Sequence, residues 1–242
     1  MHRLNSNPLR VLVVSLAIVM LGGCGVHYAT IRTPQGEDLM LLGHDPVAYF
    51  TLGKPMRGDP KLAARHDGVT YYFASEQHRQ LFVADPQKYA PQYGAFCADG
   101  AAYGVKLGSD PTEFEIFQGR LFIFGDIVGH EFWKLRPAWD VEKGDAMWPE
   151  AGASGHRWQS LKRLAFRVPW YKTGREIVAE WEAKNPGRKL DYDPGGVFTN
   201  LFLKYPGWRA REGHQQPALG VPGIDPCPPA CVGEATRGYS RK

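Results

Sequence analysis

Hydrophobic and polar positions change period several times along the chain. Val11 to Leu21 is an apolar run broken only by Ser15, preceded by Arg3 and Arg10. Residues 25–40 read as a tether leading into a first strand. His44-Asp45-Pro46 marks a turn before Val47-Ala48-Tyr49-Phe50, and two prolines and two glycines between Gly53 and Pro60 mark a loop. Val69-Thr70-Tyr71-Tyr72-Phe73 is β-branched and aromatic and predicts a strand. Ser75 caps a predicted helix from Glu76 to Ala84, whose His78, Leu81 and Phe82 share one face. Asp85-Pro86 opens a second short helix. Leu107 to Asp110 is a loop. Glu113–Phe117 and Arg120–Phe124 predict a hairpin about Gln118-Gly119. Ile127 to Leu135 predicts a helix stopped by Pro137, and Asp140 to Met147 another.

Beyond Pro149 the pattern weakens. Trp158 to Phe166 could form a short helix, and Arg175 to Lys184 predicts a clearer one, closed by Asn185-Pro186-Gly187. Residues 217–233 hold five prolines and three glycines. The expected fold is α+β: a small antiparallel sheet covered by helices over residues 37–150, after a tether at 24–36. A partly helical appendage, residues 151–242, follows, with 217–242 read as disordered. No internal repeat stands out in the sequence.

The N-terminus changes the picture most. A basic start, an apolar middle and small residues before Cys24 are the parts of an export signal, residues 1–23. The apolar run is about half of the roughly 20 residues that a membrane-spanning helix needs. Leu21-Gly22-Gly23-Cys24 resembles the lipobox of bacterial lipoproteins, which implies cleavage before Cys24, acylation of its thiol and anchoring in a lipid bilayer. Gly25 in place of an aspartate implies the outer membrane, on its periplasmic side.

Charge narrows the partners. The chain carries +4, and losing the two signal arginines leaves the mature protein near +2, too little to argue for nucleic acid. Of four cysteines, Cys24 is assigned to lipid, and Cys227 and Cys231, four apart outside the cytoplasm, are expected to form a local disulfide. Cys97 is left as an odd thiol.

Gly43-His44-Asp45-Pro46-Val47-Ala48-Tyr49-Phe50 resembles the opening of one branch of YHS-domain proteins. Thr70 through Phe82, Asp85-Pro86-Gln87-Lys88-Tyr89, Pro91 through Ala98 and Ala146-Met147-Trp148-Pro149 fit the same family. Some members resemble small metal-binding modules built on cysteines. Here Ala48, Ala74 and His78 stand at those cysteine positions, so the resemblance implies at most a reduced site. His78, with Cys97 and His44, is the candidate soft-metal set, for copper or zinc. Met56 is a further soft ligand type but sits in a loop.

Each candidate has a plainer structural reading: His78 as a half-buried helix residue, Cys97 as a small buried apolar residue, His44 as a turn residue. Tyr49, Tyr71, Tyr72 and Phe73 read as core. No Gly-x-Ser-x-Gly, His-Glu-x-x-His or phosphate-cradling loop is present, so no enzyme is expected. Two functions follow: a soft-metal module, or an interaction module docking an envelope protein. Thiol chemistry at Cys97 ranks third. The anchoring expectation is tested directly: Cys24→Ala should abolish fatty-acid labelling and release the protein from sedimented membranes.

Overall fold

The computed structural model describes residues 28–154, 166 and 168–190. Cys24, Cys227, Cys231, the export signal, nearly all of the Trp158–Phe166 segment and residues 217–242 lie outside them. Within the described residues the chain is mixed α and β. Strands β1 (Thr30–Arg32) and β2 (Asp38–Met40) form an antiparallel hairpin, inside the stretch expected to be mostly tether. A tight turn, Leu41–Gly43, leads to α1 (Ala48–Thr51). Then come β3 (Asp59–His66), β4 (Val69–Phe73), α2 (Glu76–Ala84) and α3 (Pro86–Tyr89). A second tight turn, Gln92–Ala95, leads to α4 (Ala98–Ala102), β5 (Asp110–Phe117), β6 (Arg120–Phe124), α5 (Ile127–Trp133) and α6 (Pro137–Ala153). Helix α7 (Gly174–Lys184) follows.

The sheet departs from the antiparallel expectation. Its order is β1-β2-β4-β3, and β2 runs parallel to β4 through Leu39↔Thr70, while β5 and β6 form a separate hairpin. The Ser75 cap follows the predicted chemistry, and Asp126, not anticipated as a cap, starts α5 in the same way. Ser75 Oγ accepts from His78 N at 3.1 Å, and Asp126 Oδ1 accepts from Gly129 N at 2.7 Å, each satisfying a donor that the first helical turn leaves over. Two prolines behave differently from the expectation. Pro137 opens α6 instead of only stopping α5, because proline at the first helical position loses no needed N–H. Pro149 lies inside the same helix, which runs on to Ala153, past the expected domain end. Lys106 supports that end: its ammonium, buried over the Phe96 ring, donates to the carbonyls of Gly152 and Ser154 at 2.8 and 2.9 Å.

The fold contains an internal repeat that the sequence analysis did not find. Residues 41–43 and 93–95 are both runs of left-handed backbone, φ 53, 52 and 80° in the first and 53, 58 and 63° in the second. The residues just before them pair in parallel at matching registers, Leu39↔Thr70 and Pro91↔Leu121. Each turn is followed by a short helix and a hairpin. The hairpins share a first pair, Asp59↔Phe73 and Asp110↔Phe124, and a bulge immediately after it. Both loops are left-handed at two residues, Asp67-Gly68 and Gln118-Gly119. Both first strands close the same local turn, Asp59 Oδ1 accepting from Lys61 N and Asp110 Oδ1 from Thr112 N, each at 2.9 Å. A capped helix follows in each, then a second helix beginning at proline, Pro86 or Pro137. The second unit is offset by 52 residues through the turn and short helix, and by 51 from the hairpin onward.

The two units share a core. Tyr49, Phe73, Phe82 and Phe96 are buried with Leu121 and Ile123. The Tyr49 hydroxyl of the first unit donates to the Pro111 carbonyl of the second at 2.9 Å. Helix α7 adds to the second unit: Ile177 and Trp181 bury against Tyr103, Val105, Val128 and Phe132, and Trp170 Nε1 donates to the Ala102 carbonyl at 3.0 Å. A fragment of residues 37–150 therefore loses β1, the lysine cap of α6 and this apolar cover. Burial of each large side chain contributes about 1.5–3 kcal/mol. In chemical denaturation, residues 28–190 should unfold cooperatively, and 37–150 should be less stable by several kcal/mol or fail to show a single transition.

Candidate functional site

The first unit carries a polar site at the junction of its tight turn and its two helices. Asp45 is fully buried. Its Oδ1 accepts from Val47 N at 2.8 Å, which closes the turn into α1. Its Oδ2 accepts from Ala74 N at 2.8 Å and faces His78 Nδ1 at 2.6 Å. Opposite, His78 Nε2 lies 3.2 Å from Thr51 Oγ at the end of α1. The Thr51 hydroxyl also reaches the Val47 carbonyl at 3.1 Å. Burial grades along the row: the Asp45 side chain is 0% and the His78 side chain 13% exposed, and Thr51 is an exposed residue. With the Nδ1 proton directed to Asp45, Nε2 presents a lone pair to Thr51.

Of the three expected metal candidates, His78 is held in this row. His44 is buried nearby, but its Nδ1 is engaged by the Leu41 carbonyl at 2.9 Å. Burial, reinforced by the Arg57 charge, pushes its pKa down to about 4, so it stays neutral at physiological pH. Cys97 is buried in the second unit among Phe122, Phe124 and Trp133. Among the described residues no group of three or more His, Cys, Asp or Glu side chains is placed to hold a metal ion, so His44, His78 and Cys97 are not brought together as one. Met56 meets Asp45 through its backbone carbonyl, which accepts from Asp45 N at 2.8 Å. The expected shared face of α2 also splits: Phe82 is buried, whereas Leu81 is 37% exposed.

Sequence reasoning missed Asp45 and Thr51 as site residues. Asp45 was visible only as a turn former, although an Asp beside a proline can also accept from backbone two residues on. Nothing in the sequence pairs Thr51 with His78, 27 positions away.

A second polar cluster is buried in the other unit. Asp99 of α4 and Asp140 of α6 flank Arg136, whose Nε is 3.2 Å from Asp140 Oδ2 and whose Nη2 is 3.9 Å from Asp99 Oδ1. Arg136 Nη2 donates to the Tyr103 hydroxyl at 2.6 Å, and its plane lies over Trp139 and Phe132. Asp140 Oδ1 has no hydrogen-bond partner among the described residues, and Oδ2 meets the Arg136 guanidinium. Burial pushes the pKa values of both carboxyls up, reinforced at Asp140 by the Asp99 charge; Arg136 pulls both the other way without offsetting it. Elsewhere His130 of α5 stacks on Phe124 and reaches Glu113 at 2.7 Å and Glu115 at 3.1 Å, joining the helix to β5. No described helix is long and apolar enough to cross a membrane.

Comparison with family models, curated proteins and solved structures finds no match.

The carboxyl pair makes stability depend on pH with a definite sign. Folding raises both pKa values, so the folded protein holds protons that the unfolded chain has released. That contribution is complete at low pH and is lost as pH rises through the folded values. His44 acts in the opposite direction, but only between about 4 and its ordinary 6.5. Thermal melts should therefore show stability falling as pH rises from about 4 through neutrality, more steeply above about 6.5, where His44 no longer opposes the fall. Asp140→Asn should flatten that fall, and an equally steep fall in the variant would contradict the assignment.

Proposed function

We propose that this protein is a bacterial envelope lipoprotein, held through Cys24 at the periplasmic face of the outer membrane, that displays a duplicated YHS-like unit for docking another envelope protein. The lipobox-like Leu21-Gly22-Gly23-Cys24 supports the anchor. The YHS-like reading draws support from the place of the Asp-Pro-Val-Ala-Tyr-Phe block: its aspartate links the turn and α1 to the start of α2.

One observation favours docking over metal binding. Of the large apolar side chains exposed among the described residues, Leu52, Leu81 and Val83 lie at the end of α1 and on α2. These helices meet where Thr51 faces His78. The corresponding helix of the second unit, α5, has Val128 and Phe132 covered by α7. Leu81 is left at the surface where its counterpart, Phe132, is covered, and an apolar side chain so placed is one that a partner buries. The soft-metal reading, copper or zinc on His78 with Cys97 and His44, lacks a converged set of ligands.

The test is photo-crosslinking in intact cells with the reactive group at position 77, one turn before Leu81 on the same face of α2. A discrete crosslinked species should form, and Leu81→Asp should remove it while leaving the melt within about 0.5 kcal/mol, as for an exposed substitution. The absence of any crosslinked species, or one indifferent to Leu81→Asp, would contradict the docking surface.

A further inference from the structure

The duplicated fold acts as an internal control on the row of Asp45, His78 and Thr51. Counting from the left-handed turns, Cys97 corresponds to Asp45 and Tyr103 to Thr51. Counting from the capped helices, Gly129 corresponds to His78. The correspondence is also spatial: a Cβ on Gly129 would lie 3.2 Å from Cys97 Sγ, as the His78 ring lies against Asp45. The second unit thus forms the same turn, hairpin and capped helix with a thiol, a glycine and a tyrosine. Neither the imidazole nor the threonine hydroxyl is required to make this fold. Their alignment in the first unit needs another reason.

The geometry supplies one. A buried carboxylate, an imidazole bonded to it through Nδ1 and an exposed hydroxyl facing Nε2 form the row that activates a hydroxyl nucleophile. We propose that Thr51 is a catalytic nucleophile for acyl transfer, with His78 as its base and Asp45 as the positioning residue that fixes the imidazole. The substrate class is an uncharged ester with a small apolar acyl group. Leu52 follows Thr51 directly, and Leu81 lies one turn beyond His78; both are partly exposed and give the acyl chain an apolar border. This inference does not depend on the docking reading.

The step balances without a further reagent. Thr51 Oγ attacks the carbonyl carbon as its proton passes to Nε2. The ester C–O bond breaks, and the leaving alkoxide takes that proton. Water then attacks the acyl-threonine, Nε2 accepts a proton from the water and returns it to Thr51 Oγ, and a carboxylic acid departs. The Thr51 hydrogen has two acceptors in reach, the Val47 carbonyl and Nε2. Only the second arrangement is reactive.

The test uses the full-length protein in detergent with p-nitrophenyl acetate. p-Nitrophenolate release is followed optically, and the acetylated residue is located by peptide mass mapping. Acetyl should appear on Thr51. His78→Gln, which can still bond Asp45, should slow that labelling by about 100-fold or more. Thr51→Ser should label at position 51 and Thr51→Ala should not. Asp45→Asn should displace the pH profile of labelling, which a purely structural carboxylate would not do. No acetyl on Thr51 in a protein with a cooperative melt, undiminished labelling in His78→Gln, or Thr51→Ser unlabelled at position 51 would each overturn the proposal.

Discussion

The Asp45 carboxylate is the constraint on which the first unit depends. A carboxylate removed from water must be matched by donors, or its burial is prohibitive. Here one oxygen takes the Val47 amide and the other takes the Ala74 amide and the His78 ring. Those partners belong to three different segments: the turn into α1, the end of β4 and the first turn of α2. A single side chain therefore fixes the entry angle of one helix and the position of another. Removing the carboxylate would leave two amides and an imidazole facing each other at low exposure, a loss of the kind that costs about 3–5 kcal/mol for buried pairs.

The second unit reaches the same backbone by other means. Cys97 stands in the carboxylate's place and packs with Phe122 and Trp133. Gly129 leaves room for it where an imidazole would stand. The polar groups of this unit gather a few residues further on, around Arg136, and their burial raises the pKa values of Asp99 and Asp140. So the two units differ in kind. One has a polar row that is satisfied inside and open at its outer end. The other has an enclosed charge cluster and an apolar centre.

Much of the local structure was legible in the sequence because its signals are local. Ser75, Asp85 and Gly119 each act within three residues, and the helices and hairpin that they punctuate lie close to where the pattern puts them. Strand β3 was missed because Ala63 and Ala64 carry its alternation with almost no contrast in hydrophobicity. Pro137 and Pro149 were read as breaks, since sequence alone does not show whether a proline's absent N–H was needed. The repeat was hidden for a deeper reason. Its diagnostic feature is left-handed backbone at Leu41, Leu42, Tyr93 and Ala95, residue types that rarely adopt it. Tertiary burial imposes those angles, so no local signal reports them. Only scattered identities survive between the units, such as Asp59-Pro60 with Asp110-Pro111 and Phe73 with Phe124. The row through Asp45, His78 and Thr51 depends on contacts across 27 and 33 positions, beyond the reach of any periodicity.

The asymmetry between the units also bears on which of them presents side chains to solvent. Helix α5 presents Val128 and Phe132 to α7, where Ile177 and Trp181 bury them. The matching positions on α2 are Gln77 and Leu81, one polar and one partly exposed. A helix that had merely lost its cover would keep two apolar residues there and be prone to associate without selectivity. Gln77 lowers that hazard, while Leu81 stays partly exposed one turn beyond His78. The second unit, closed by α7, is thus suited to hold the core, and the first is the part of the molecule whose chemistry is presented to solvent.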